Sequence, residues 1–328
     1  MVWFLFLISS AVVVLAATKL AAYADVIAVR TRLGGLVIGT IFLAGATSLP
    51  EMIASISAFR ASVPNLAAGN FLGSNMTNIA LLALVDLFNR QAPLLRTVAV
   101  THSLTAALAT LLMLVAVLSM AVGALPAVGW VGADSLLIIG LYFTGIWVMQ
   151  RESRGGPAAP VMEPAADFPT LRRGLVGFVM AAVVLMAAVP QLVRASTEIA
   201  AITGLGTGFV GTALLSLVTS LPELVAVIAA TRLGAFDLAV GNLFGSNVFN
   251  MLGLAVADFF LLDGPFLSVI DPGFIIVGLL GILLTNMALI GNLARVERKF
   301  LFFELDSVAI LGAYLLGMFL LYQRGIGL

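Results

Sequence analysis

The chain is 328 residues long, 62% hydrophobic and 10% charged, with a mean hydropathy of +1.16. A soluble globular domain is nearer half apolar and a quarter charged, so this composition excludes one and describes a polytopic membrane protein. Formal net charge is zero and cysteine is absent, so neither nucleic acid nor an anionic surface is suggested as a partner, and disulfides, thiolate metal sites and cysteine nucleophiles are excluded.

A membrane span takes about 20 apolar residues. Ten stretches qualify: 2–28, 35–58, 66–88, 97–121, 129–149, 173–200, 207–230, 238–261, 272–293 and 303–322. The first is apolar from Val2 to Ala17 with no basic residue before it. It lacks the charged start of a secretory signal and reads as an uncleaved span. Between the fifth and sixth lies Arg151–Pro169, RESRGGPAAPVMEPAADFP, rich in Pro, Gly, Ala and charge. Such a composition makes a loose linker. The expected organisation is all-α: a first five-helix repeat at 1–150, a linker at 151–171 and a second, inverted five-helix repeat at 172–328.

Basic residues set the expected orientation. One side would carry Arg30, Arg32, Arg90, Arg96, Arg151, Arg154, Arg172, Arg173, Arg232, Arg295, Arg298 and Lys299; the other keeps Arg60 and Arg324. The positive-inside rule puts the linker in the cytoplasm and both termini outside, in a cell inner or plasma membrane.

A repeat dominates the chain. Adding 172 to each number from Gly39 to Phe88 gives the partner residue without a gap, and 24 of these 50 pairs are identical. Gly39-Thr40 meets Gly211-Thr212, and Thr47-Ser48-Leu49-Pro50-Glu51 meets Thr219-Ser220-Leu221-Pro222-Glu223. Gly69-Asn70 meets Gly241-Asn242, Gly73-Ser74-Asn75 meets Gly245-Ser246-Asn247, Asn78 meets Asn250 and Asp86 meets Asp258. The second and seventh spans are an odd number of spans apart, so the copies would enter the membrane from opposite sides. That is the inverted-repeat plan of secondary transporters, with the site at the midplane.

Glu51 and Glu223 lie inside apolar spans. A carboxylate there costs about 3 kcal/mol even on lenient scales, so it is expected to face a polar site. Pro50 and Pro222 lack an N–H, which deprives the carbonyls of Ala46 and Val218 of a helical partner. Such carbonyls are tolerated at membrane depth only when buried in protein or facing a wet cavity. Thr47 and Glu51 are four apart and share a helix face, and Asn70, Ser74 and Asn78 form a stripe at the same spacing, repeated by Asn242, Ser246 and Asn250. Gly69, Gly73, Gly241 and Gly245 permit close helix approach. The copies together offer two carboxylates, the hydroxyls of Thr47, Ser48, Thr219, Ser220, Ser74 and Ser246, and amide oxygens. All are hard donors, suited to Na⁺ or Ca²⁺ and not to zinc, copper or iron.

Other residues carry less. His102, the only histidine, reads as structural or interfacial, and Asp86 and Asp258 as interfacial span ends. Asp25 and Glu198 read as solvated helix ends or as members of an access path. Trp3, Trp130 and Trp147 stand near span ends, as aromatic belts do. No phosphate-binding loop, dinucleotide fingerprint or nucleophile elbow occurs, which disfavours a pump or a conventional enzyme, and no resident cofactor is expected.

The sequences GTIFLAGATSLPE with GNFLGSNMTN, and GTALLSLVTSLPE with GNLFGSNVFN, resemble the two alpha repeats of the sodium/calcium exchanger branch of the cation/calcium antiporter superfamily. The resemblance covers essentially the whole chain. It implies a central site with four ion positions, one for calcium, and carboxylate ligands at Glu51 and Glu223. It implies hydroxyl and carbonyl ligands at Thr47, Ser48, Thr219 and Ser220, backbone carbonyls at Ala44 and Ser216, and serine ligands at Ser74 and Ser246, with Asn70, Asn78, Asn242 and Asn250 around them. It also implies that the first and sixth helices slide across a static core.

The chain departs from the family pattern. Ala46 and Val218 replace the glycine of GTSLPE, Ser216 stands where alanine is common, and Asn250 occupies a position that is aspartate in many relatives. Two carboxylates without a third acid carry less negative charge, and in the family an asparagine there argues against potassium co-transport. The expected function is Ca²⁺/Na⁺ antiport by alternating access, with membrane lipid and the transported cations as partners. Some relatives exchange protons, so H⁺/Ca²⁺ antiport is the runner-up, with the two glutamates as proton carriers. A cation channel and a non-transporting scaffold are the remaining classes, disfavoured by the broken helices and by the duplicated acids.

Overall fold

Backbone groups in a hydrocarbon slab find no water, so each crossing segment has to pair its own N–H and C=O groups, which a helix does. The computed structural model describes residues 1–31, 43–89, 94, 101–123, 126–153, 168–294, 299–300 and 303–327, and most of them are helical. The main helices are α1 (Val2–Thr31), α2 (Leu49–Arg60), α3 (Pro64–Phe88), α4 (Thr101–Val122), α5 (Ala133–Ser153), α6 (Leu171–Thr203), α7 (Leu221–Arg232), α8 (Phe236–Ala257), α9 (Phe274–Ala294) and α10 (Leu305–Arg324). Among the described residues eight helices are long and apolar enough to cross a membrane, and a bent pair, Thr207–Thr219 with α7, brings the number to nine. The beginning of the expected second span and most of the expected linker lie outside the described residues, as do Arg32, Arg90, Arg96, Arg154, Arg295 and Arg298.

The element order repeats with the 172-residue offset. Leu49–Arg60 maps onto Leu221–Arg232, and Pro64–Phe88 onto α8 with its terminal 3₁₀ turn Asp258–Phe260. Two small hairpins follow the same rule. Ala127–Val128 pairs with Val131–Gly132, and Lys299–Phe300 pairs with Phe303–Glu304 in the corresponding register.

The centre is set by α3 and α8. Their most apolar stretches are 78% and 72% buried, against 28% for α6 and 22% for α10. These are also the helices whose sequences are rich in Gly, Ser and Asn. Small residues let backbones meet: a Cβ on Gly69 would lie 2.5 Å from Gly208 O, and one on Gly73 2.7 Å from Thr212 O. The helical segment 207–219 therefore sits directly against α3.

Outside this centre α1 runs along α6, where Gly174 and Gly177 accommodate Val26 and Tyr23. The outward faces of both helices are apolar and exposed, Phe4, Leu7, Leu15, Val176 and Met180 among them, as lipid contact requires. Trp3, Trp130 and Trp147 lie on the same outer surface.

Candidate cation site between the two repeats

Each glutamate stands at a helix break. Residues 43–47 are helical, Ser48 leaves the helix at φ −87°, ψ 7°, and α2 begins at Leu49 with Pro50 at its start and Glu51 in its first turn. The second copy does the same at Ser220, φ −87°, ψ −2°, ahead of Pro222 and Glu223, with a bend of 40°. Before that bend the chain widens into a π-helical stretch, Gly211–Leu215. Such bulges recur at functional sites. A helix N-terminus carries partial positive charge, which favours the carboxylates just inside it. Ser48 and Ser220 occupy N-cap positions yet make no side-chain cap. Their hydroxyls are left for the site.

The structure buries every predicted residue and joins several of them in the interior. Glu51, Glu223, Thr47, Thr219, Ser220, Ser74, Ser246, Asn70, Ala44 and Ser216 are fully buried, and Ser48, Asn78, Asn250 and Asn242 are at most 2% exposed. Contacts cross between the copies. Ser48 Oγ and Ser246 Oγ each donate to Glu223 Oε1 at 3.5 Å, and Thr47 Oγ1 lies 3.3 Å from Ser246 Oγ. Thr219 Oγ1 donates to Asn70 Oδ1 at 3.1 Å, and Asn70 Nδ2 donates to the backbone carbonyl of Glu51 at 3.1 Å. Asn70 is thus engaged at both ends of its amide.

Other oxygens are left over. Both carboxylate oxygens of Glu51, Glu223 Oε2, Ser74 Oγ, Ser220 Oγ, Asn78 Oδ1, Asn242 Oδ1 and Asn250 Oδ1 are buried and have no partner among the described residues. Buried polar atoms ordinarily find one, because an unmade bond costs about 1–3 kcal/mol and more for a charged group. This many acceptors in one interior suits a cation. Among the described residues no group of three or more His, Cys, Asp and Glu occurs, so the donor set is two carboxylates with hydroxyl and amide oxygens.

The carbonyls of Ala44 and Ser216 both accept inside their own helices. Ala44 O takes Ser48 N at 3.0 Å and Thr47 Oγ1 at 3.0 Å; Ser216 O takes Ser220 N at 3.0 Å, with Thr219 Oγ1 3.3 Å away. The Ser216 hydroxyl donates to Thr212 O at 2.5 Å. Thr77 Oγ1 lies 3.2 Å from it and 3.4 Å from Tyr314 OH. With its hydrogen committed, Ser216 accepts from Thr77 and Thr77 from Tyr314, which directs the chain of hydroxyls inward. The residue equivalent to Thr77 is Phe249, whose ring fills the space beside Gly45.

Sequence reasoning on the polar stripes missed Asn75 and Asn247. Asn78 Nδ2 donates to Asn247 Oδ1 at 2.9 Å and Asn250 Nδ2 to Asn75 Oδ1 at 3.1 Å. These two bonds are images of each other under the 172-residue offset. The signal was present, since Asn75 and Asn247 are an identical pair in the repeat.

Five residues play other parts. Asp86 and Asp258, at the ends of their spans, are buried in the protein, and each closes a loop: Asp86 accepts from Leu94 N and Ser307 Oγ at 2.5 Å, and Asp258 from Phe266 N at 2.7 Å and Gly132 N at 2.8 Å. His102 Nε2 lies 3.5 Å from Asp237 Oδ1 at the start of α8. Asp25 and Glu198 are exposed. Glu198 borders a surface recess of about 350 Å³ with Ser57, Arg60, Pro190, Arg194 and Thr197.

Comparison with known proteins places this architecture. The chain is 29% identical over 261 residues to the inner membrane protein YrbG of Escherichia coli K12, covering 76% of each chain. It is 28% identical over 283 residues to the putative antiporter CaxA of Alkalimonas amylolytica, covering 84% of this chain and 86% of that one. Solved structures of the same fold include the sodium-calcium exchanger NCX_Mj, with TM-score 0.64 at 19% identity and 97% of each chain covered. The H⁺/Ca²⁺ exchanger CAX superposes with TM-score 0.75 at 16% identity, covering 99% of this chain and 85% of that one. A family profile described as sodium/calcium exchanger protein matches residues 1–149 and 173–323, and the chain is an integral membrane protein of that family.

Proposed function

We propose that the protein is a secondary antiporter that exchanges Ca²⁺ for Na⁺ at one site between its two repeats. The observation that carries this is the pair of buried carboxylates, Glu51 and Glu223, of whose four oxygens three have no hydrogen-bond partner among the described residues. Glu51, Glu223, Thr47, Ser48, Thr219, Ser220, Ser74, Ser246, Asn78, Asn242 and Asn250 supply side-chain oxygens. Asn70 braces the Glu51 backbone, and the Ala44 and Ser216 carbonyls sit at the breaks.

Ca²⁺ and Na⁺ would occupy this site in turn. Competition for the same two carboxylates couples the fluxes. With neither ion present, two facing carboxylates resist being sealed from water, because desolvating unpaired charge is costly. That penalty suppresses uncoupled return. Net charge moved across the membrane adds about 2.3 kcal/mol per charge per 100 mV.

The repeat of elements at a constant offset supports ten spans arranged as two inverted halves, 1–150 and 172–328, joined by a cytoplasmic linker at 151–171, with both termini outside. Lipid surrounds the apolar outer faces.

The fold leaves the driving ion open, since NCX_Mj and CAX share it and are described as a sodium-calcium and an H⁺/Ca²⁺ exchanger. Ca²⁺ flux into proteoliposomes decides. Uptake driven by an outward Na⁺ gradient and insensitive to a pH gradient is the expected result. Uptake that needs the pH gradient makes Glu51 and Glu223 proton carriers. Flux that needs neither identifies a channel.

A further inference from the structure

Asn78 belongs to the stripe of Asn70, Ser74 and Asn78 along α3, and its amide has one end that donates and one that accepts. Nδ2 donates to Asn247 Oδ1 at 2.9 Å, while Oδ1 is buried with no partner among the described residues. Asn247 decides which end is which. Its Nδ2 meets the backbone carbonyl of Asn75 at 3.2 Å. A carbonyl only accepts, so that end of Asn247 has to be the NH₂, and Oδ1 is the end left facing Asn78. An oxygen there admits only the NH₂ of Asn78, because the flipped amide would set two oxygens against each other. The Asn78 oxygen is thereby turned away from Asn247 and left as a buried acceptor, one helical turn from Ser74.

The equivalent pair is bonded alike but anchored differently. Asn250 Nδ2 donates to Asn75 Oδ1, yet Asn75 Nδ2 has no partner among the described residues. Asn75 and Asn250 can turn over together and keep a bond between them. Asn247 and Asn78 cannot, because turning Asn247 would press its oxygen onto the Asn75 carbonyl.

The geometry points to Asn247 as a positioning residue that commits the Asn78 oxygen to the transported cation. This rests on the exchange reading of the site. Groups that orient a ligand without touching the ion typically change metal affinity by about 10–100-fold when removed.

The test is the KM for Ca²⁺ in reconstituted uptake, under whichever gradient drives the wild type. Asn247→Ala is expected to raise it about ten-fold. Asn247→Leu keeps the volume, cannot accept from Asn78, and is expected to give the same rise if the alanine variant proves hard to purify. In an Asn78→Asp background neither substitution is expected to raise KM further, since a carboxylate offers an oxygen on either branch. Ca²⁺ titration calorimetry gives the same comparison if Asn78→Asp binds without transporting. An unchanged KM, or an equal rise in both backgrounds, overturns the assignment and leaves Asn247 as packing. Glu51→Gln separates the two levels. If it transports normally, the site itself is misread; if it is silent while the Asn247 variants keep the wild-type KM, only the positioning role fails.

Discussion

Ser48 donates its hydroxyl hydrogen to Glu223 Oε1 at 3.5 Å, across 175 residues of chain and from the very break that precedes Glu51. A residue of the first break thus reaches the carboxylate of the second, and the candidate site draws on both copies. Glu51→Gln and Glu223→Gln keep the shape and remove one of two negative charges. Coupled Ca²⁺ flux is expected to fall to the liposome background in either variant. In cation-free detergent both are expected to melt no lower than the wild type, because a buried charge without a counter-ion is itself destabilising. Wild-type protein at 100 times its Ca²⁺ Kd should gain about 2.7 kcal/mol, and the variants should lose most of that gain. A variant with wild-type stabilisation by Ca²⁺ would remove that glutamate from the site.

The contact of Gly69 and Gly73 with the 207–219 segment leaves no room for a methyl group. Gly73→Ala puts a carbon 2.7 Å from both Thr212 Cα and Thr212 O, which are backbone atoms and cannot swing away. The expected cost is about 1–3 kcal/mol, read from denaturant or thermal unfolding in detergent. Gly140→Ala has nothing within 4 Å of the new carbon and is the control expected to leave stability unchanged.

Asp258 holds two backbone donors, Gly132 N and Phe266 N, that have been brought together from opposite halves of the chain. Asp258→Ala leaves both buried donors unmet, at about 1–3 kcal/mol each. A lower melting temperature with an unchanged KM for Ca²⁺ is the expected pattern. A changed KM with unchanged stability would show that the aspartate reaches the ion.

Tyr314 closes the outer end of the hydroxyl chain through Thr77 to Ser216. Tyr314→Phe removes one neutral hydrogen bond and is expected to cost about 1 kcal/mol in unfolding free energy. No loss at all would mean that Thr77 is satisfied without it.

Much of the fold and of the candidate site is legible in the amino-acid sequence, and the gaps have physical causes. The repeat placed Glu51, Glu223 and the serines and threonines beside them, because identical polar residues in apolar spans have few other uses. Asn75 and Asn247 escaped because spacing by four selects one helix face, and they lie about 100° round from it, facing the other central helix. The loop-closing role of Asp86 and Asp258 was not legible because an acid at a span end reads the same whether it turns to water or back beneath its loop. The hairpins at 127–132 and 299–304 are two-residue strands, too short for any alternation to register. The π-helical turn at Gly211–Leu215 left no mark either, since one extra residue in a turn changes no residue type.

Thr77 and Phe249 hold equivalent places, yet one joins a hydroxyl chain and the other presses a ring on Gly45. Two perfectly matched halves would give inward-open and outward-open forms of equal energy, and the transporter would idle with no preferred side. The halves here differ at 26 of the 50 paired positions, and this polar-against-aromatic pair is one of the differences that break the degeneracy. On the exchange reading, such a difference would give the resting protein a favoured side to face, and with it unequal apparent Ca²⁺ affinities on the two sides. Thr77→Val, by making both equivalent positions apolar, is expected to bring the KM values for Ca²⁺ measured from the two sides closer together.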